Sequence, residues 1–281
     1  MLADLRNPRI TAGLIALLLF LSTQGAAAEN LPGDVNHGFE QMYNLDFDGA
    51  HSTFQQWEQS HPDDPMGPVA NAAAYLFSEF HRLRILEFDL FTADDNFDKR
   101  PKVVPDPAIR TLFQNELAKG DQIANQMIAK APQDKEALLA LVFSNGLRSD
   151  YAAMIEKKNL AALNYSKSSR SIAERLLTAD PSCFDAYVAV GVENYLLSLH
   201  AAPIRWMLRM GGAQTDKEEG IAKLRLTAAK GHYLAPFARL LLAVAALRDK
   251  DKHTARDLLA GLSQQFPQND LYRTELARIQ P

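Results

Sequence analysis

The chain has 281 residues, of which 41 are Ala and 39 Leu, against only 20 Val and Ile together. Straight-chain Leu and compact Ala lose little freedom in a helix while β-branched residues lose more, so the composition excludes a β-sandwich and a parallel α/β sheet. A net charge of −4 excludes a basic nucleic-acid footprint, and 28 Gly and Pro are too few for a disordered chain.

Arg6 and Arg9 precede a 12-residue run, Ile10 to Leu21, that is short for a hydrocarbon core of roughly 30 Å. Ala26, Ala27 and Ala28 then offer the small side chains a signal peptidase reads. Residues 1–28 are therefore expected to be a secretory signal cleaved after Ala28. Residues 29–281 are expected to form one domain, periplasmic or secreted, with no transmembrane span. The only cysteine, Cys183, excludes an internal disulfide and is expected to be buried and unreactive.

Prolines, glycines and Asx residues then punctuate helical patterns at short intervals. Helices are predicted over 34–45, 47–60, 68–91, 107–130, 134–157 and 159–178. Six more are predicted over 183–199, 203–210, 216–230, 233–249, 252–265 and 269–279. Segment 92–106 is the one long irregular connection. Within it Asp94, Asn96 and Asp98 open like a calcium loop. Lys99 stands where that loop needs Gly and Pro105 where it needs Glu, so no calcium is expected.

Internal similarity points to a helical repeat. A tetratricopeptide repeat has 34 residues in two antiparallel helices. Small residues sit where the helices cross, large ones fill the gap to the next repeat, and a proline ends the second helix. Anchored on Pro62, the pattern finds Gly38, Phe47, Ala50 and Phe54 in place. Anchored on Pro267, it finds Ala243, Ala255, Leu259 and Leu262. Weaker units end at Pro132, with Gly120 and Ala124, and at Pro181, with Ala173 and Leu176. Gly220 and Leu224 mark another. The expected fold is all-α, a right-handed superhelix of tetratricopeptide-like hairpins with about eleven to twelve helices and a concave face.

The stretch 145–199, with NGLRSDYAAMIEKK leading into DPSCFDAYVAVGVENYLLSL, resembles a group of exported bacterial tetratricopeptide-repeat proteins. Segments 216–248 and 266–279 resemble the same group. The layout of GVENYLLSL, a short Pro-Arg helix, a Gly-Gly turn and then K-E-x-G is more distantly similar to the eukaryotic inclusion-body clearance family. The resemblance implies fold, export and an interaction role. The chain departs from the group at 200–203, where it reads HAAP.

Motifs of chemistry are absent from the sequence: no H-E-x-x-H, C-x-x-C, G-x-S-x-G, Walker or dinucleotide glycine pattern occurs. No catalytic residue, metal site or cofactor is expected. Arg148 and Tyr151, one helical turn apart, are candidates for a polar groove or for a network locking neighbouring helices. Tyr187, Asn194 and Tyr195 pose the same choice on the next repeat. Trp206, in the amphipathic segment PIRWMLRM (203–210), is a candidate lid residue or membrane contact. The expected function is an exported, non-catalytic scaffold that binds a protein or peptide segment in its concave groove. One alternative is an enzyme using Glu156, Lys157 or His200, and another is a lipid-surface protein using 203–210.

Overall fold

Aspartate starts most of the helices. Asp34, Asp46, Asp134, Asp216 and Asp251 each accept the backbone N–H three residues on, and Asp106 accepts that of Ala108, two on. Each carboxylate satisfies a donor that the first helical turn leaves open and complements its positive end.

The computed structural model describes residues 34–86, 102–199 and 215–279. Among them run eleven α-helices and no strand. They are α1 (Val35–Tyr43), α2 (Phe47–Ser60), α3 (Met66–Arg82), α4 (Pro107–Lys130), α5 (Lys135–Asp150) and α6 (Asn159–Ala179). Then come α7 (Tyr187–Ser198), α8 (Lys217–Lys230), α9 (Ala235–Arg248), α10 (Lys252–Gln265) and α11 (Asp270–Ile279). The expected signal segment 1–28, the loop residues Asp94 to Asp98 and the helix expected over 203–210 with Trp206 lie outside the described residues. No described helix is long and apolar enough to cross a membrane.

Two kinds of turn alternate. After α2, α4, α6 and α10 the chain passes through His61-Pro62, Ala131-Pro132, Asp180-Pro181 and Phe266-Pro267. The residue before each proline is extended, with φ of −132°, −135°, −144° and −124°. Proline forbids it the helical region. Its carbonyl accepts the N–H three residues on, from Asp64, Asp134, Cys183 and Asn269 at 2.9–3.2 Å. Four separate proline turns thus share one hydrogen bond, which is the structural repeat stated in backbone terms. The alternate turns instead use a left-handed residue: Leu45, Arg84, Lys157 and Lys250 have φ of 56–65°. This conformation closes a helix C-terminus.

Each helix packs on the next, and α1 also packs on α3 and α3 on α5. The small and large positions of the repeat pattern are where tight packing needs them. Ala50, Phe54, Ala124, Ala173, Leu176, Leu224, Ala243, Ala255, Leu259 and Leu262 have no exposed surface. Gly120 approaches Val69 and the Pro65 carbonyl, and Gly220 approaches the Tyr195 backbone, each too closely for a Cβ. Phe47 and Pro62 are looser: Phe47 is partly buried against the core, and Pro62 is exposed.

Two predicted helices end early. The one drawn to residue 91 stops at Arg82, where Arg84 turns left-handed and the Ile85 N–H returns to the Phe80 carbonyl. The one drawn to 157 changes at Tyr151 into a single π turn, Tyr151–Ile155. One extra residue in a helix leaves the polarity pattern almost unchanged, so periodicity does not reveal it.

Rings from helices far apart in the chain meet in the core. Phe39 of α1 meets Phe143 of α5 at 6.5 Å and Tyr233, just before α9, at 5.0 Å. Phe77 of α3 meets Phe237 of α9 at 6.0 Å, and Tyr43 meets Phe266 at 5.4 Å. The first hairpin therefore touches the last. The Tyr43 hydroxyl donates to the Tyr233 carbonyl (3.0 Å), and the Asn269 amide donates to the Tyr43 carbonyl (2.8 Å). Tyr43→Phe is expected to cost about 1 kcal/mol in a denaturant titration, the usual net worth of one such bond. Asn269→Ala should cost more, because Asn269 also accepts the Leu271 N–H. Unchanged midpoints in both variants would remove this clasp as a source of stability.

Candidate functional site

The residues singled out in the sequence lie in separate places. Arg148, on α5, bonds Asp121 on α4 at 2.8 Å and donates to the Ser144 hydroxyl. Ser144 in turn donates to Asp121 at 2.6 Å. The trio locks α4 to α5. Tyr151 opens the π turn and stacks on Phe113, with ring centroids 5.1 Å apart; its buried hydroxyl has no hydrogen-bond partner. Tyr187 borders an open groove of about 360 Å³ with Glu174 and Glu219, where its hydroxyl donates to the Pro181 carbonyl and Lys223 lies over its ring.

Asn194 and Tyr195 are buried on α7. Neither amide atom of Asn194 has a partner, and the neighbouring Glu193 carboxylate pairs with Arg170 at 3.0 Å. Glu156 is held between Arg110 (3.2 Å) and Lys158 (3.0 Å), Lys157 is the left-handed residue of its turn, and His200 lies outside the described residues. Cys183 is half-buried, and burial pushes its thiol up to about 11, which leaves it protonated at neutral pH.

A different group of side chains does converge, across α2, α3 and α4. Asn71 stands in an Ala-rich helix, fully buried. Its amide nitrogen donates to Glu58 Oε1 (3.2 Å), so its oxygen faces His51 Nδ1 at 2.6 Å. An oxygen there accepts only, so Nδ1 carries the proton. Burial holds the His51 pKa low, so the ring is neutral. The other oxygen of Glu58 meets Lys119 of α4 at 2.5 Å. The His51 ring lies 4.0 Å from the Tyr75 ring.

Glu116 completes the face, one turn from Lys119. Its Oε2 is buried without a hydrogen-bond partner. Burial first, and then the Glu58 charge, push its pKa from 4.5 to about 7, with Lys119 opposing. A carboxylate displaced this far beside a second carboxylate makes the cluster a candidate site. Sequence reading passed over it because the network takes one or two residues from each of three helices. The legible trace was the single Asn within PVANAAAYLF. Among the described residues no group of three His, Cys, Asp or Glu is placed to hold a metal ion.

The raised value has a consequence for stability. The folded chain holds the Glu116 proton more tightly than the unfolded chain does. That contribution is complete below pH 4.5 and is lost as pH rises through about 7. Glu116→Gln should therefore raise the melting temperature at pH 8 by a few degrees and change it little at pH 5. The gain is about 1 kcal/mol once the half-exposed position is discounted for screening. Equal melts at both pH values would show that the carboxyl ionises at its ordinary pH.

Compared with protein-family models, curated proteins and solved structures, the chain matches none.

Proposed function

We propose that this chain is an exported, non-catalytic helical-repeat adaptor of the tetratricopeptide type that binds a segment of a protein partner. The observation that carries the choice of surface is the polar side-chain network that joins α2, α3 and α4. Phe39, Phe143, Tyr233 and Phe237 are spent on packing within the core. The α2–α4 region offers the partly exposed rings of His51 and Tyr75 beside the Glu58–Lys119 ion pair, the mixture that partner surfaces use. The repeated proline turns and the fully buried repeat positions support the tetratricopeptide assignment. Cleavage after Ala28 would leave Glu29 first in the exported product, which mass spectrometry of that product reads directly.

A photo-crosslinking residue at Gln55, on the same face of α2 as His51 and Glu58, tests the surface. A discrete adduct with an envelope protein is expected there and not from the same residue at Gln264 on α10. Adducts at Gln264 alone, or at neither position, would overturn this choice of face.

A further inference from the structure

We propose that the groove over α7, between α6 and α8, takes an arginine side chain from a protein segment, with its guanidinium held by Glu174 and Glu219 and its stem laid on Leu177, Val190 and the Tyr187 ring. This is a second surface, and its binding is independent of the α2–α4 face.

α6 and α8 each pack on α7, and the valley between them is the open groove of about 360 Å³. Glu174 and Leu177 line it from α6, Tyr187 and Val190 from α7, and Glu219 and Lys223 from α8. Its volume is at the small end of ligand sites, roughly 300–1,000 Å³, and suits a side chain better than a cofactor. Both carboxylates are within reach of a partner: the Glu174 side chain is 45% exposed and that of Glu219 48%. Each has a cation of its own helix only at a distance, Arg170 at 3.5 Å from Glu174 and Lys223 at 4.0 Å from Glu219. Both contacts are longer than the roughly 2.7–2.9 Å of a charge-assisted hydrogen bond. Arg170 is turned to Glu193, at 3.0 Å.

The chain itself shows what this groove attracts. Lys223 Nζ lies 5.2 Å from the centroid of the Tyr187 ring, whose hydroxyl is fixed by its bond to the Pro181 carbonyl. A cation therefore already rests on the ring and beside Glu219. The lining carries two carboxylates against that one ammonium, so it repels an anion and retains attraction for a second cation. Leu177 and Val190 suit the aliphatic stem of a long cationic side chain. A guanidinium serves the groove better than an ammonium does. Its donors spread in a plane, can meet carboxylates on two walls, and give up their hydration more readily. Lys223 is then a resident competitor, and an incoming guanidinium displaces its ammonium from Glu219.

The test is fluorescence anisotropy of a labelled oligoarginine peptide with the full-length protein at about 0.1 M salt, where charges more than about 10 Å away are largely screened. Glu174→Gln and Glu219→Gln should each weaken binding about threefold to fivefold, as should Tyr187→Leu. Lys223→Met removes the competitor and should strengthen binding by a similar factor. Two exposed changes of the same charge outside the groove, Glu218→Gln on α8 and Lys252→Met on α10, should stay within about twofold. All these side chains are at least partly exposed, so the variants are expected to fold, and a melt of each confirms it. Wild-type binding in both groove glutamate variants, or no gain in Lys223→Met, would overturn the proposal. So would a loss in Glu218→Gln as large as that in Glu219→Gln. Oligolysine bound as tightly as oligoarginine would overturn the choice of a guanidinium. The adduct at Gln55 reads the other face, so its absence would overturn the adaptor surface and leave this groove standing.

Discussion

Asp185→Ala is expected to lower stability by about 3 kcal/mol or more, seen as a fall of about 10 °C in the melt. The carboxylate is 4% exposed and takes the place of a missing proline turn. Between α8 and α9 the chain reads Gly231-His232-Tyr233-Leu234, and Asp185, from the turn before α7, accepts three successive backbone N–H groups there. His232 reaches Oδ2 at 2.9 Å, Leu234 reaches Oδ1 at 2.9 Å, and Tyr233 lies 3.2 Å from both. Nearby, Thr227 donates to the Phe184 carbonyl at 2.7 Å and ties α8 to the same turn. Gly231 is part of the design: a Cβ there would come within 2.8 Å of both the Thr227 carbonyl and Asp185 Oδ1. Alanine at 185 strands three donors at once. Asparagine keeps one acceptor oxygen and should cost an intermediate amount. The turn also presents the Tyr233 carbonyl to Tyr43, so Asp185→Ala and Tyr43→Phe should combine non-additively. A melt that is unchanged in Asp185→Ala would mean that water replaces the carboxylate without cost.

Gly38→Leu is the second large effect. A Cβ at residue 38 would lie 2.3 Å from Phe54 Cε1 and under 3 Å from two further ring atoms. Phe54 has no exposed surface and packs edge-on against Phe39 at 5.6 Å, so the ring has nowhere to retreat. The expected cost is about 3 kcal/mol, the upper range for overpacking a filled core, and even Gly38→Ala should cost a measurable part of it. Phe54→Leu should make Gly38→Ala cheaper than it is in the wild-type background, since the two groups compete for one volume. If the cost of Gly38→Ala is the same in both backgrounds, the contact with Phe54 is not its cause.

Local physics reached a long way into this fold. The eleven described helices were all legible as helices, because Ala and Leu propensity, Asp caps and proline stops act within a few residues of one another. Gly38, Ala50, Phe54, Gly120, Gly220, Ala255 and Leu259 were legible because each helix pair restates the same packing demand, even though the pairs recur at irregular spacing. The π turn at Tyr151 and the early end of α3 at Arg82 were not, since each is a local backbone choice that leaves side-chain polarity in step. Arg148 stood between two readings for a related reason: a polar side chain in an apolar helix reads alike whether it faces a ligand or, as Arg148 does, Asp121 on the next helix.

The sequence by itself determined the helices, the small and large positions of the repeat, and the turns that join them, all set by neighbours close along the chain. Only the tertiary structure decided three things. It decided that the first hairpin closes onto the last through Tyr43 and Asn269, that Asp185 caps a turn in the following repeat, and that His51, Asn71, Glu58, Lys119 and Glu116 share one face. Each joins groups from different helices or turns, and their meeting depends on how hairpins stack, a packing outcome that no local pattern of residues encodes.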